Sequence, residues 1–141
     1  VVFAVRSEIR SGPVSFGFDS RRPPRALSDM DRPPRIRTEI RIAAHLRRVI
    51  GAGAFAQVVR KGDPDAGAIA VKVFLGRGET GPLARLFVQS RDEAGELIWR
   101  DAFDGPVQEA RVDERLAKDR RIDPDLWIVE VEDRQGRGFL E

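Results

Sequence analysis

The chain has 141 residues, 41% of them hydrophobic and none of them Cys. That composition suits one globular domain and excludes disulfides, thiolate metal sites and cysteine nucleophiles. Its 25 basic and 23 acidic residues leave a net +2, too little to draw in nucleic acid by bulk charge.

The charge is unevenly spread: residues 1–50 carry 11 bases against 5 acids, and residues 51–141 carry 14 against 18. No apolar run is long enough to span a bilayer. The opening "VVFAV" is too short for a signal sequence and meets Arg6 and Glu8 at once, so a cytoplasmic protein is expected. Residues 1–35 hold two Pro-Pro pairs and no helical or strand periodicity, and read as an extension outside the fold. Met30 is the only methionine. The favoured expectation is that translation begins there and that the upstream residues belong to an over-extended reading frame; a basic disordered arm is the rival. Either way one domain is expected over 36–141.

From 38 to 50, "TEIRIAAHLRRVI" has the spacing of an amphipathic helix, with Thr38 as N-cap and Gly51 or Gly53 past its end. Ile42, Ala43, Leu46, Val49 and Ile50 share its apolar face; Arg37, Arg41 and Arg48 share another, with His45 beside them. "FAQVVRKG" and "AIAVKVFLG" read as strands around the turn-rich "DPDA", and "LARLFVQS" and "ELIWRDAF" as a hairpin around "RDEAG". "GPVQEARVDERLAKDR" predicts a second helix opening at Pro106, with a thin apolar face of Val112 and Leu116. "LWIVEVED" predicts a last strand with Trp127, Val129 and Val131 on one face. Helix, four antiparallel strands in a meander, helix and final strand make an α+β domain with the helices covering one face of the sheet.

Residues 50–74, "IGAGAFAQVVRKGDPDAGAIAVKVF", imitate the glycine loop and lysine of a protein kinase. The imitation fails on chemistry. Phosphoryl transfer needs metal-holding Asp and Asn motifs, and none follow Lys72. The segment before the glycines is helical where a kinase has a strand. "GAGAFA" fails as a dinucleotide fingerprint for the same reason. On this reading Gly51 and Gly53 end a helix and Lys72 is a solvated strand residue.

The two Asp-Pro-Asp triplets, at 63–65 and 123–125, suit turns better than metal ligation, because Asp bonds nearby backbone and Pro presets φ. Glu130 and Glu132 fall on one strand face and read as a wet face or partners for arginines. A carboxylate hydrolase would need one of them to share a pocket with Asp125. The Arg37, Arg41, His45 and Arg48 stripe is the candidate partner-binding surface, suited to an acidic protein partner. Nucleic acid is not excluded as a partner, the alternative being a nucleotide- or nucleic-acid-binding protein that uses the Gly51–Gly53 hairpin with Arg37, Arg41 and Arg48. Catalytic, cofactor-binding and metal-ligating residues: none is assigned.

"TEIRIAAHLRR", "VVRKGDPDAGAIAVKV" and above all "RIDPDLWIVEVEDRQGR" resemble the alphaproteobacterial domain-of-unknown-function family 1491, over about residues 36–141. Arg41 departs from the pattern, where a Trp is expected. The resemblance implies a compact bacterial module, with Asp123, Pro124, Asp125 and Trp127 as its structural signature, and supplies no catalytic residues. The function expected is that of a non-catalytic binding or regulatory module.

Overall fold

The computed structural model describes residues 36–140. The expectations for residues 1–35, including the start at Met30, lie outside them. The elements run α1 (Thr38–Gly51), β1 (Phe55–Arg60), β2 (Ile69–Gly78), β3 (Gly81–Arg91), β4 (Leu97–Asp101), β5 (Val107–Gln108), α2 (Glu109–Ile122) and β6 (Trp127–Glu132). The α+β class and the order of helices and strands are those expected.

The sheet order is β1-β6-β2-β3-β4, with β5 also pairing to β3. Strands β2, β3 and β4 form an antiparallel meander. The last strand enters the sheet between β1 and β2, antiparallel to β1 and parallel to β2. The first two strands therefore run antiparallel but touch only through β6. The hairpin expected between them is opened to admit a strand from the far end of the chain.

The helices do not share a face, contrary to expectation. On one side Ile42, Leu46 and Val49 of α1 pack on Ala56, Ile69, Val71, Val73, Trp127, Val129 and Val131. On the other, Val112 and Leu116 of α2 pack on Ala70, Ala84, Leu86, Leu126 and Ile128. Alternation of side chains along each strand sends odd-numbered β2 and β6 residues to α1 and even-numbered ones to α2. Two covered faces account for the run from Ile69 to Val73, where every residue is buried, Lys72 included.

Two helix starts also differ from expectation. Thr38 is the first residue of α1, not its cap, and its hydroxyl donates instead to the Gly67 carbonyl at 2.8 Å. The helix's open N–H groups find distant acceptors: Thr38 N donates to Asp65 O and Glu39 N to Pro64 O. Pro106 lies before α2; the two residues after it form β5, and the helix opens at Glu109. Among the described residues no helix is long and apolar enough to cross a membrane.

Candidate functional site

The glycine turn has the geometry of a helix terminus. Gly53 N–H donates to Ile50 O at 3.0 Å and Ala54 N–H to Val49 O at 3.1 Å, the paired bonds of a Schellman C-cap. Gly53 supplies the left-handed conformation that the motif requires, at φ +84°. Both amides are spent on the helix, and a helix C-terminus carries negative partial charge. The turn is therefore built against phosphate.

Lys72 is not the solvated residue expected. It is only 6% exposed and points to the α2 side, where its Nζ meets Asp113 at 2.7 Å and Glu109 at 2.8 Å. Glu109 and Asp113 stand one helical turn apart on the first half of α2, so both carboxylates reach one ammonium. Glu130 lies beside Lys72 in the parallel β2–β6 register. Burial, the largest influence on Lys72, pulls its pKa down, but Asp113, Glu109 and Glu130 outweigh it and the net displacement is upward. An amine held as a cation is a poor nucleophile. The Glu130 carboxyl is also raised, first by burial and then by Glu109, Glu132 and Asp113, against the pull of Lys72. Sequence reading missed this cluster: the alternation that marks Lys72 as even-numbered cannot say that a helix covers the even face.

The two Asp-Pro-Asp triplets meet. Asp63 N–H donates to Asp125 O at 3.0 Å, and the Trp127 indole N–H donates to Asp63 O at 2.7 Å. Each triplet also turns on its own first Asp: Ala66 N–H donates to Asp63 Oδ2, and Asp125 N–H to Asp123 Oδ1. The contact is so close that a Cβ on Gly62 would stand 1.9 Å from Asp125 O. Pro124 thus lies in a turn that docks on another turn, and Trp127, 1% exposed, seals the α1-side core beneath it. Asp125 lies in the turn before β6, docked on Asp63, whereas Glu130 lies within the strand beside Lys72. Among the described residues no group of three or more His, Asp or Glu is placed to hold a metal ion.

The α1 stripe is split by the structure. His45 is buried, with Nε2 2.7 Å from Gly138 O, and Arg48 Nε donates to Phe139 O at 3.1 Å. These two anchor the segment after β6 across α1, where Phe139 and Leu140 join the core. Arg37 pairs with Asp65 at 2.6 Å and Glu39 at 2.7 Å, holding α1 to the first Asp-Pro-Asp turn. Arg41 is half-buried and Arg47 exposed, and between the arginines two large apolar side chains face water: Ile36 at 65% and Ile40 at 53% exposure. Ile40 and Arg47 share the outer side of α1, flanked by Arg41 and Arg48, and Ile36 and Arg37 extend this ridge just before the first helical residue. Ile40 was not singled out from the sequence, although the same spacing that placed Arg41 and Arg48 also places it.

A family model described as "Protein of unknown function (DUF1491)" matches residues 36–141. The chain is similar to a DUF1491 family protein from Caulobacter crescentus CB15, solved by crystallography. Identity is 43% and the TM-score 0.67, over 75% of this chain and 95% of that one. An NMR structure of a DUF1491 family protein from the same organism matches at 44% identity and TM-score 0.62, over 73% of this chain and 90% of that one. The solution structure of protein Atu0922 from A. tumefaciens matches at 32% and 0.59, covering 71% and 87%. A search of curated proteins finds no match.

Proposed function

The chain belongs to the DUF1491 family of proteins of unknown function, and from that premise we propose a non-catalytic cytoplasmic binding module. In this reading the outer ridge of α1 takes an acidic amphipathic segment of a partner protein. The observation that carries the reading is the ridge itself. Ile40 lies in water on the outer face of α1 with Arg47, Ile36 is exposed just before the helix begins, and Arg37, Arg41 and Arg48 lie along one flank. An isolated exposed isoleucine is ordinary; two at the start of one helix beside four arginines form an apolar patch with a charged margin. The fitting occupant is a helix with apolar residues on one face and carboxylates beside them. The chain's own residues 1–35 do not supply that complement, since they carry 7 Arg against 4 acids.

A binding role also accords with the chemistry inside the fold. Lys72 is committed to Asp113 and Glu109, and His45 to the Gly138 carbonyl. Arg37 and Arg48 are braced by Asp65 and the Phe139 carbonyl, which holds both guanidiniums in place along the helix.

The test is capture from an extract of the source cell with the wild type and with Arg41→Glu combined with Arg47→Glu, followed by hydrogen exchange on the complex. The expected result is an acidic partner whose recovery falls with salt and is lost in the double variant, with new protection confined to residues 36–51. Undiminished recovery by the double variant, or protection on another element, overturns the assignment.

A further inference from the structure

The α2 side of the sheet is covered only in part. Helix α2 packs over β3 and β5, and the far corner, where β1 begins beside the end of β6, faces water. Ala56 and Val131 pair across β1 and β6 and point into the α1-side core, so the next pair, Phe55 and Glu132, projects to the α2 side. Both are exposed there, Phe55 by 39%. Glu130 follows Glu132 on the same face of β6, and Glu109 and Asp113 of α2 reach in from across Lys72. Four carboxylates thus surround one ammonium and border one exposed aromatic ring. Their excess charge acts within the cluster: Glu109, Glu132 and Asp113 each add to the burial that raises the Glu130 carboxyl. The basic Arg60 stands at the other end of β1, opposite Ile128.

A complement is written in the chain itself. Arg-Pro-Pro-Arg occurs twice outside the described residues, at 22–25 and 32–35. We propose that the segment Arg22 to Arg25 docks on this corner, with Pro23 and Pro24 against Phe55 and the two guanidiniums among Glu109, Asp113, Glu130 and Glu132. Consecutive prolines favour polyproline II, with three residues per turn and a rise of about 3.1 Å, which sets Arg22 and Arg25 on one edge about 9 Å apart. Glu130 and Glu132, two residues apart on a strand, stand about 7 Å apart, so each guanidinium finds a carboxylate for charge-assisted hydrogen bonds. A ring beside those carboxylates is a surface on which a proline pair, already ordered, packs at low entropic cost. Reach then chooses between the two copies. Residue 36 enters at the start of α1, one helix length, about 21 Å, from the end of the sheet where Phe55 stands. Arg32 is four residues from Ile36, about 13 Å of extended chain; Arg25 is eleven, about 36 Å. Only the first copy spans the distance. A tethered segment meets its face at an effective concentration of order 1 mM, so a contact too weak between separate molecules is populated within one. The α1 ridge lies on the opposite side of the sheet and takes an acidic occupant, so the two surfaces do not compete.

The absence of Cys makes the test direct: Ser20→Cys carries a single nitroxide label beside the segment. In the full chain at low ionic strength, amide broadening should concentrate on residues 55–57 and 130–132 and be the same at every protein concentration. Raising the salt toward 1 M, where the screening length is about 3 Å, should remove most of it. Arg22→Glu with Arg25→Glu should lower the docked-to-free ratio roughly tenfold or more. Adding Glu132→Lys to that pair should recover part of the broadening, because the charges are then exchanged. Glu132 is exposed, and circular dichroism of each variant confirms that the fold is retained. Broadening that is absent, evenly spread or centred on residues 36–51 overturns the proposal. So does broadening that grows with protein concentration, which would assign the corner to a second copy, and so does an Arg22→Glu, Arg25→Glu chain that broadens residues 55–57 as fully as its parent.

Discussion

An added Cβ at Gly62 would stand 1.9 Å from the Asp125 carbonyl oxygen and 2.6 Å from its carbon. Both are backbone atoms of the turn that launches β6, so neither yields without moving a central strand. Gly62→Ala should therefore cost roughly 1–3 kcal/mol, the range of overpacking a close contact, read as a lower urea midpoint with an unchanged slope. Gly51 is the contrast. It is the last residue of α1, and a Cβ there meets nothing within 4 Å. Gly51→Ala should stabilise by about 0.5–1 kcal/mol through helix propensity. A glycine kept for close approach to a phosphate would give no such gain without a loss of binding. Residue identity thus separates two glycines that look alike in the sequence, because the atom that decides, the Asp125 carbonyl, comes from the far end of the chain.

The pairing of α2 with the even-numbered face of the sheet gathers Glu109, Asp113 and Glu130 around a single Lys72, with Glu132 next along the strand. There is more carboxylate than one ammonium can balance, and Glu130, half-buried, is the group pushed upward. Its folded pKa lies above the unfolded value of about 4.3. Ionised Glu130 therefore opposes folding: its favourable contribution is complete below the unfolded pKa and is lost as pH rises through the folded one. Glu130→Gln should raise the melting temperature at pH 7, and the advantage should vanish below about pH 4, where both side chains are neutral. An equal gain at both pH values would assign the effect to packing instead. Lys72 is also raised, but there the charged form is the one that favours folding, so its contribution holds at neutral pH and is lost only in strong alkali. At this scale the sequence was legible where period alone decides. Ile42, Leu46 and Val49 of the α1 stripe and the alternation of Trp127, Val129 and Val131 are found in the core, while Ile50, expected on the same stripe, sits in the last turn of the helix and is 47% exposed. Period does not choose a strand's neighbours or a helix's side of the sheet. For that reason the entry of β6 between β1 and β2, and with it the burial of Lys72, was not legible. Thr38 and Pro106 mislead for a related reason. Local capping rules named them, and long-range partners, the Asp65 and Pro64 carbonyls in one case and β3 in the other, settled the outcome.

The whole molecule closes through its last strand. β6 is the only bridge between β1 and the β2–β3–β4 meander among the described residues, and it contributes to the packing on both faces: Trp127, Val129 and Val131 toward α1, Ile128 toward α2. The residues beyond it bind α1 as well, through the Gly138 carbonyl on His45 and the Phe139 carbonyl on Arg48, while the Gly136 carbonyl accepts from Arg85 on β3. A chain lacking this segment would leave β1 without a strand partner, the inner edge of β2 open and both helices above incomplete cores. The apolar burial of Trp127, Ile128, Val129 and Val131 is lost on both faces, and the pairings left to the meander do not replace it. A fragment ending at Ile122 should therefore remain unfolded, with collapsed amide dispersion in its proton–nitrogen spectrum. Adding a peptide of residues 123–141 should recover the dispersed spectrum, because every contact it makes is non-covalent and its strand can enter an open slot between β1 and β2. Native-like dispersion from the fragment alone would mean that the meander with α2 folds independently, and that β6 completes the sheet without being needed to form it.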